Sequence, residues 1–204
     1  ECIFNGGKLI RYKCPTCGVI FGPEKMFALT EEQFSEDYAL HYSVYKEGDS
    51  TQQELELFYK LDPTKSGIYL NWGAGAWSTT IDTLRKEGYQ VYGYDPYAPV
   101  DSEYVIKDKQ VLQQMKFDGI FSHDLLEHLR DPLGTFKLFA QIIKPEGKMI
   151  HSTACYDYVY EYTRFHLFFY TGQAIDQLCK KAGFCVDSVE RDSVNLLISY
   201  SFSY

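Results

Sequence analysis

No stretch of the 204-residue chain approaches the run of about 18 apolar residues that a membrane-spanning helix needs. Clustered positive charge is missing too: the formal net charge is −8, with 20 Lys and Arg against 28 Asp and Glu. Proteins that grip nucleic acid through its phosphates need a basic cluster on one face, so DNA and RNA are disfavoured partners. There is no internal repeat and no low-complexity segment. The segment that starts at Glu1 shows no signal peptide. A secreted disulfide framework is missing as well, because three of the 6 cysteines crowd the N-terminus at metal-like spacing. A cytoplasmic protein is expected.

Aromatic residues, by contrast, are abundant, at 18 Tyr and 14 Phe. Two readings account for them: a Tyr-rich core and surface, or a cleft that stacks flat or sugar-like ligands. The length allows one full domain and one small accessory module. Residues 1–25 read as a turn-rich cysteine module, 26–65 as a helical linker or lid, and 66–204 as the main domain.

Within the first segment, short strands are expected at 8–12 and 19–21, separated by turn residues. Phe34, Tyr38, Tyr42 and Tyr45 fall at helical spacing behind a Thr30 cap. Leu55, Phe58 and Leu61 mark a second helix, closed by Asp62-Pro63. From Ser66 onward, strands at 67–71, 90–94, 105–106, 118–122, 147–152, 184–190 and 194–202 alternate with helices at 78–87, 109–115, 132–143 and 171–182. Alternation of this kind predicts an α/β fold: a Rossmann-like, mostly parallel, seven-stranded sheet with helices on both faces.

Between the first strand and helix of that domain lies Asn71-Trp72-Gly73-Ala74-Gly75-Ala76-Trp77-Ser78. Glycine there lets the backbone turn tightly and approach a ligand beside the N–H groups of a helix start. Asp95 ends the next strand, about 20 residues on, where a carboxylate accepts hydrogen bonds from ribose hydroxyls. A dinucleotide site favours a third glycine, and Ser78 occupies that place. A nucleoside cofactor without pyrophosphate is therefore expected.

Several segments, in order, resemble the class I S-adenosylmethionine-dependent methyltransferases. The turn 71–77 resembles the family's first motif, and Tyr92-Gly-Tyr-Asp95 its second. The most specific match is Phe117-Asp-Gly-Ile-Phe-Ser-His-Asp-Leu-Leu-Glu-His-Leu-Arg-Asp-Pro132; Ile143-Lys-Pro-Glu-Gly147, His166 to Thr171 and Ala182-Gly-Phe184 follow. The resemblance implies methyl transfer from S-adenosylmethionine. Asn71, Trp72, Gly73, Ala74, Gly75, Asp95, Pro96, Asp108, Ser122 and His123 are the residues expected around that cofactor. The family usually has an acid at the position of Asn71 and a glycine at that of Trp77.

Cys14-x-x-Cys17-Gly18 has the form of a zinc knuckle, since two thiolates on one turn can reach one tetrahedral ion. Cys2, across an expected hairpin, is a third candidate ligand, and the whole is similar to a zinc-ribbon-like leader that precedes some small-molecule methyltransferases. The other reading is free cysteines packed near a turn. Cys155, Cys179 and Cys185 read as core.

Methyl transfer to a hydroxyl benefits from a base near neutral pKa, and histidine is the natural one. His123 leaves the fourth domain strand at its carboxyl end, where open α/β sheets place ligands. His166 is the second candidate. His41 and His151 read as packed side chains. Asp124, Glu127 and His128 share one face if the segment is helical, and either brace the fold or hold a divalent ion. The expected substrate is a small hydroxylated or sugar-like metabolite, methylated on oxygen. The alternatives are an RNA or protein methyltransferase that docks through its zinc module, or a catalytically weakened cofactor-binding module.

Overall fold

The computed structural model describes residues 1–44, 48–75, 78–97, 102–154, 164–191 and 195–202. The side chain of His41, and Tyr45, Ala76, Trp77 and Cys155 entirely, lie outside the described residues. The chain begins with β1 (Cys2–Gly6), β2 (Leu9–Lys13), β3 (Ile20–Phe21), α1 (Glu24–Phe27), α2 (Glu31–Val44) and α3 (Thr51–Lys60). The main domain follows as β4 (Ile68–Trp72), α4 (Thr80–Lys86), β5 (Gln90–Tyr94), β6 (Val105–Ile106), α5 (Lys109–Gln113) and β7 (Phe117–Ser122). It ends with α6 (Pro132–Ile142), β8 (Ile143–Ala154), β9 (Phe168–Phe169), α7 (Ala174–Ala182), β10 (Phe184–Arg191) and β11 (Asn195–Phe202).

The large sheet has the order β10-β11-β8-β7-β4-β5-β6. Its centre is five parallel strands, from β8 to β6; β11 runs antiparallel to β8, and β10 antiparallel to β11. Strand order reverses between β4 and β7, which opens a crevice at their carboxyl ends.

Strands buried on both faces need apolar residues at successive positions, and β4 and β7 have them. Along β4, Tyr69 packs into the core under α3 with Leu57 and Phe58, while Leu70 and Trp72 face Phe136 and Phe139 of α6. Phe121 and Ile120 of β7 divide in the same way. Phe58 is fully buried, worth about 1.5–3 kcal/mol for a side chain of that size. Local chemistry sets the helix starts. Thr30 Oγ1 accepts from the Gln33 N–H at 3.2 Å while Gln33 Oε1 accepts from the Thr30 N–H at 3.0 Å, a reciprocal capping box. Asp131 caps α6 through the Gly134 N–H at 2.9 Å, with Pro132 in the first turn.

The N-terminal unit does not close on itself. Its sheet has the order β1-β2-β3-β9, so its fourth strand comes from residues 168–169 of the main domain, pairing Ile20 with Phe169. Gly172 lets the two units meet: it sits at φ 61, and a Cβ there would lie 2.7 Å from the Cys17 carbonyl oxygen. Gln173 N–H donates to that same oxygen at 2.7 Å. The short strand β9 was not expected, because two residues of an aromatic run have no period to read.

Candidate active site

The carboxyl ends of β4, β5 and β7 open onto one cavity of about 1750 Å³. Its floor is the glycine turn. Gly73 and Gly75 have φ of 77 and 61, a left-handed backbone that only glycine adopts freely. Gly73 N–H donates to the Tyr94 carbonyl at 2.8 Å, tying the turn to β5. Asp95 is buried at the end of β5 and braces the turn from one side: its carboxylate accepts from Gly75 N–H at 3.0 Å and from Tyr97 N–H at 2.9 Å. The cavity thus places the Asp95 carboxylate next to a bare glycine backbone. Trp72 closes the turn from below, its ring 4.4 Å from that of Tyr94 and 4.8 Å from that of Phe139. Ala74 and Pro96 also line the space.

A second carboxylate holds the turn from the other side, and sequence reasoning missed it. Glu54 of α3 is 4% exposed. It accepts from Asn71 Nδ2 at 2.5 Å, Ser78 Oγ at 3.0 Å and Ser50 Oγ at 2.6 Å. Burial pushes its carboxyl up, opposed by those hydrogen bonds. A readable signal existed, for Glu54, Leu57, Phe58 and Leu61 follow the i, i+3, i+4, i+7 spacing of a buried stripe. An acid on that stripe demands an explanation.

Two expected cofactor residues stand elsewhere. Asp108 is exposed and caps α5, accepting from Gln110 N–H at 2.7 Å, and does not line the cavity. Ser122 is fully buried in the sheet, its Oγ 2.7 Å from His151 Nδ1. Burial pushes His151 down to about 3, so it stays neutral beside the stacked ring of Phe139.

The opposite wall carries the histidines. His123 Nδ1 lies 2.6 Å from Ser152 Oγ, and its Nε2 3.3 Å from Asp124 Oδ2. The expected helical face of Asp124, Glu127 and His128 does not form. Asp124 has φ 45, and only Leu126–His128 make a short 3₁₀ turn. Glu127 is instead buried against Thr153 Oγ1 at 2.7 Å, and His128 Nδ1 lies 3.1 Å from the Phe165 carbonyl. The chain return brings His166 to them, its ring 4.7 Å from that of His128. Ligand atoms of Glu127, His128 and His166 all lie within 4.8 Å of one another. The remaining wall is aromatic: Tyr38 of α2 stacks on Tyr97 at 5.6 Å, with Phe34 and Phe165 against it.

The expected three-cysteine zinc site does not assemble. Cys14 and Cys17 share one turn, where N–H groups of Cys17 and Thr16 draw the Cys14 thiol down to about 7. Cys2 lies on the exposed β1 edge, its thiol donating to the Phe4 carbonyl at 3.5 Å. Among the described residues the three thiols are not gathered within ligand distance of each other. A tetrahedral zinc needs four ligands, and this turn offers two. Of the three cysteines read as core, Cys179 is buried and Cys185 is exposed.

Residues 53–189 match the family model described as a methyltransferase domain. The chain belongs to that family. No curated protein matches it. Among solved structures, this methyltransferase domain is similar to the Burkholderia thailandensis 1,6-didemethyltoxoflavin-N1-methyltransferase, determined with 1,6-didemethyltoxoflavin and S-adenosylhomocysteine. The two are 13% identical over 100% of both chains, with a TM-score of 0.65. It is similar also to the glycopeptide N-methyltransferase MtfA complexed with sinefungin, at 14% identity and a TM-score of 0.56, covering 76% of this chain and 95% of that one. At such identities the likeness establishes the α/β methyltransferase fold. No helix among the described residues is long and apolar enough to cross a membrane.

Proposed function

We propose that this domain transfers a methyl group from S-adenosylmethionine to an oxygen of a small hydroxylated or sugar-like metabolite. The observation that carries the reading is the pairing of the Gly73–Gly75 turn with the buried Asp95 carboxylate on the floor of one large cavity. When bound, the cofactor supplies an electrophilic methyl on a sulfonium. The chain's own residues do the rest. Asp95 accepts the ribose hydroxyls, and the glycines allow close backbone approach. Tyr38, Tyr97, Phe34 and Phe165 exclude water and offer ring faces to the acceptor. His123 takes the acceptor's proton, and His166 bounds the far side of the cleft. Much of the rate comes from holding nucleophile and methyl in line. The free thiols of Cys2, Cys14, Cys17, Cys179 and Cys185 accord with a reducing, cytoplasmic setting.

Calorimetry with S-adenosylhomocysteine tests the reading. Wild-type protein should bind one equivalent, and Asp95→Ala should weaken binding at least about tenfold, since a charge-assisted hydrogen bond contributes about 1.5–3 kcal/mol. Circular dichroism should show the fold retained. An unchanged affinity in Asp95→Ala would remove the carboxylate from the cofactor site.

A further inference from the structure

Glu54 is a carboxyl group in a costly place for a charge. Taking a carboxylate out of water costs several kcal/mol unless a counter-charge or enough donors compensate. Asn71, Ser78 and Ser50 all donate to its carboxyl oxygens, and Thr80 also bonds to it, so the group serves as an acceptor. Among the described residues, no lysine, arginine or histidine forms an ion pair with it. Burial pushes its carboxyl up, and the hydrogen bonds it accepts oppose that push.

Its position supplies the missing half of the argument. Glu54 lines the same cavity as Asp95. The two carboxylates grip the glycine turn from opposite sides, Asp95 through Gly75 and Glu54 through Asn71 and Ser78, which bracket it. The strand residue that enters the turn, Asn71, is buried and uncharged. S-adenosylmethionine carries its hydroxyls at one end and an α-ammonium at the other, and a cation is a group that a buried carboxyl on a cavity wall, with no ion pair among the described residues, can recognise.

We infer that Glu54, reaching across from α3, provides the counter-charge for the amino-acid end of the cofactor, a role that β4 cannot fill with Asn71. The inference rests on the S-adenosylmethionine reading above. It makes Glu54 a cofactor-binding residue that acts on affinity for one end of the ligand only.

The test compares two ligands by calorimetry: S-adenosylhomocysteine, which keeps the ammonium, and 5′-methylthioadenosine, which lacks it. Glu54→Gln should weaken S-adenosylhomocysteine about tenfold to a hundredfold and leave methylthioadenosine within about twofold. The double change E54Q/N71D restores one carboxylate beside one amide with their places exchanged, and should regain most of the lost affinity for S-adenosylhomocysteine. Equal weakening of both ligands by Glu54→Gln, or no weakening of either, overturns the inference while leaving the methyltransferase reading intact. Should Glu54→Gln fail to fold, the double variant decides. Folded with the two-ligand preference of the wild type, it supports a charge role; folded with that preference lost, it overturns it. A wild-type protein that binds neither nucleoside overturns both readings together.

Discussion

His123 is held by two neighbours that divide its work. Ser152 Oγ lies 2.6 Å from Nδ1 and Asp124 Oδ2 lies 3.3 Å from Nε2. Both ring nitrogens therefore have a polar partner within reach, and the tautomer fixes which of the two accepts. General-base catalysis of this kind is worth about 10²–10⁴-fold. His123→Asn should therefore bind S-adenosylhomocysteine with near wild-type affinity and lose turnover by about that factor. Near-normal turnover in His123→Asn would assign the rate to positioning alone. The position of this residue was readable, because the end of a parallel strand is where such folds put chemistry. Its two partners were not, since Ser152 belongs to a strand that is adjacent only in space.

At the scale of elements, the joint between the N-terminal sheet and the main domain rests on Arg11. This β2 residue is fully buried and donates to the carbonyls of Gly22 and His166, the latter at 2.9 Å, with its guanidinium 5.4 Å above the Phe169 ring. Burial lowers its pKa to about 10, so it stays charged at neutral pH. One side chain thus couples the cysteine-bearing hairpin to the segment that carries His166. Arg11→Met fills similar space but leaves carbonyl groups without their donor, at a cost of about 1–3 kcal/mol. A lower melting temperature is expected, together with faster amide exchange over residues 164–169 than over β4 and β5. Uniform exchange changes across the domain would show that Arg11 serves general stability and no particular joint. In sequence Arg11 looks like any strand-edge cation, and only the placement of β9 next to β3 turns it inward.

For the molecule as a whole, His151 sets a limit on acid stability. It is buried in the sheet, and its pKa is lowered to about 3 by burial. Below the ordinary histidine value near 6.5 the unfolded chain takes up a proton that the folded chain refuses. The stabilising contribution is thus complete above about pH 6.5 and is lost progressively as pH falls toward 3. Its slope approaches about 1.4 kcal/mol per pH unit within that window. Urea unfolding at pH 7, 6 and 5 should show the decline, and His151→Gln, which keeps a polar partner for Ser122, should show a shallower one. Parallel slopes in the two proteins would assign acid sensitivity to carboxylates elsewhere.

The alternation of apolar strands with helices, the glycine turn and the acid at the end of β5 are properties of the sequence by itself. Each rests on local physics: the period of side-chain burial, the φ that glycine permits, and the short reach from one strand end to the next. The family follows from the same segments. The tertiary structure alone decided which distant residues meet. It brought Glu54 under Asn71 and carried His166 to Glu127 and His128. It buried Ser122 against His151, turned Asp108 into a helix cap and left Cys2 outside the Cys14–Cys17 turn. Each of these outcomes depends on the docking of elements far apart in the chain, which is settled by how their surfaces pack together and has no counterpart in the pattern of any single segment.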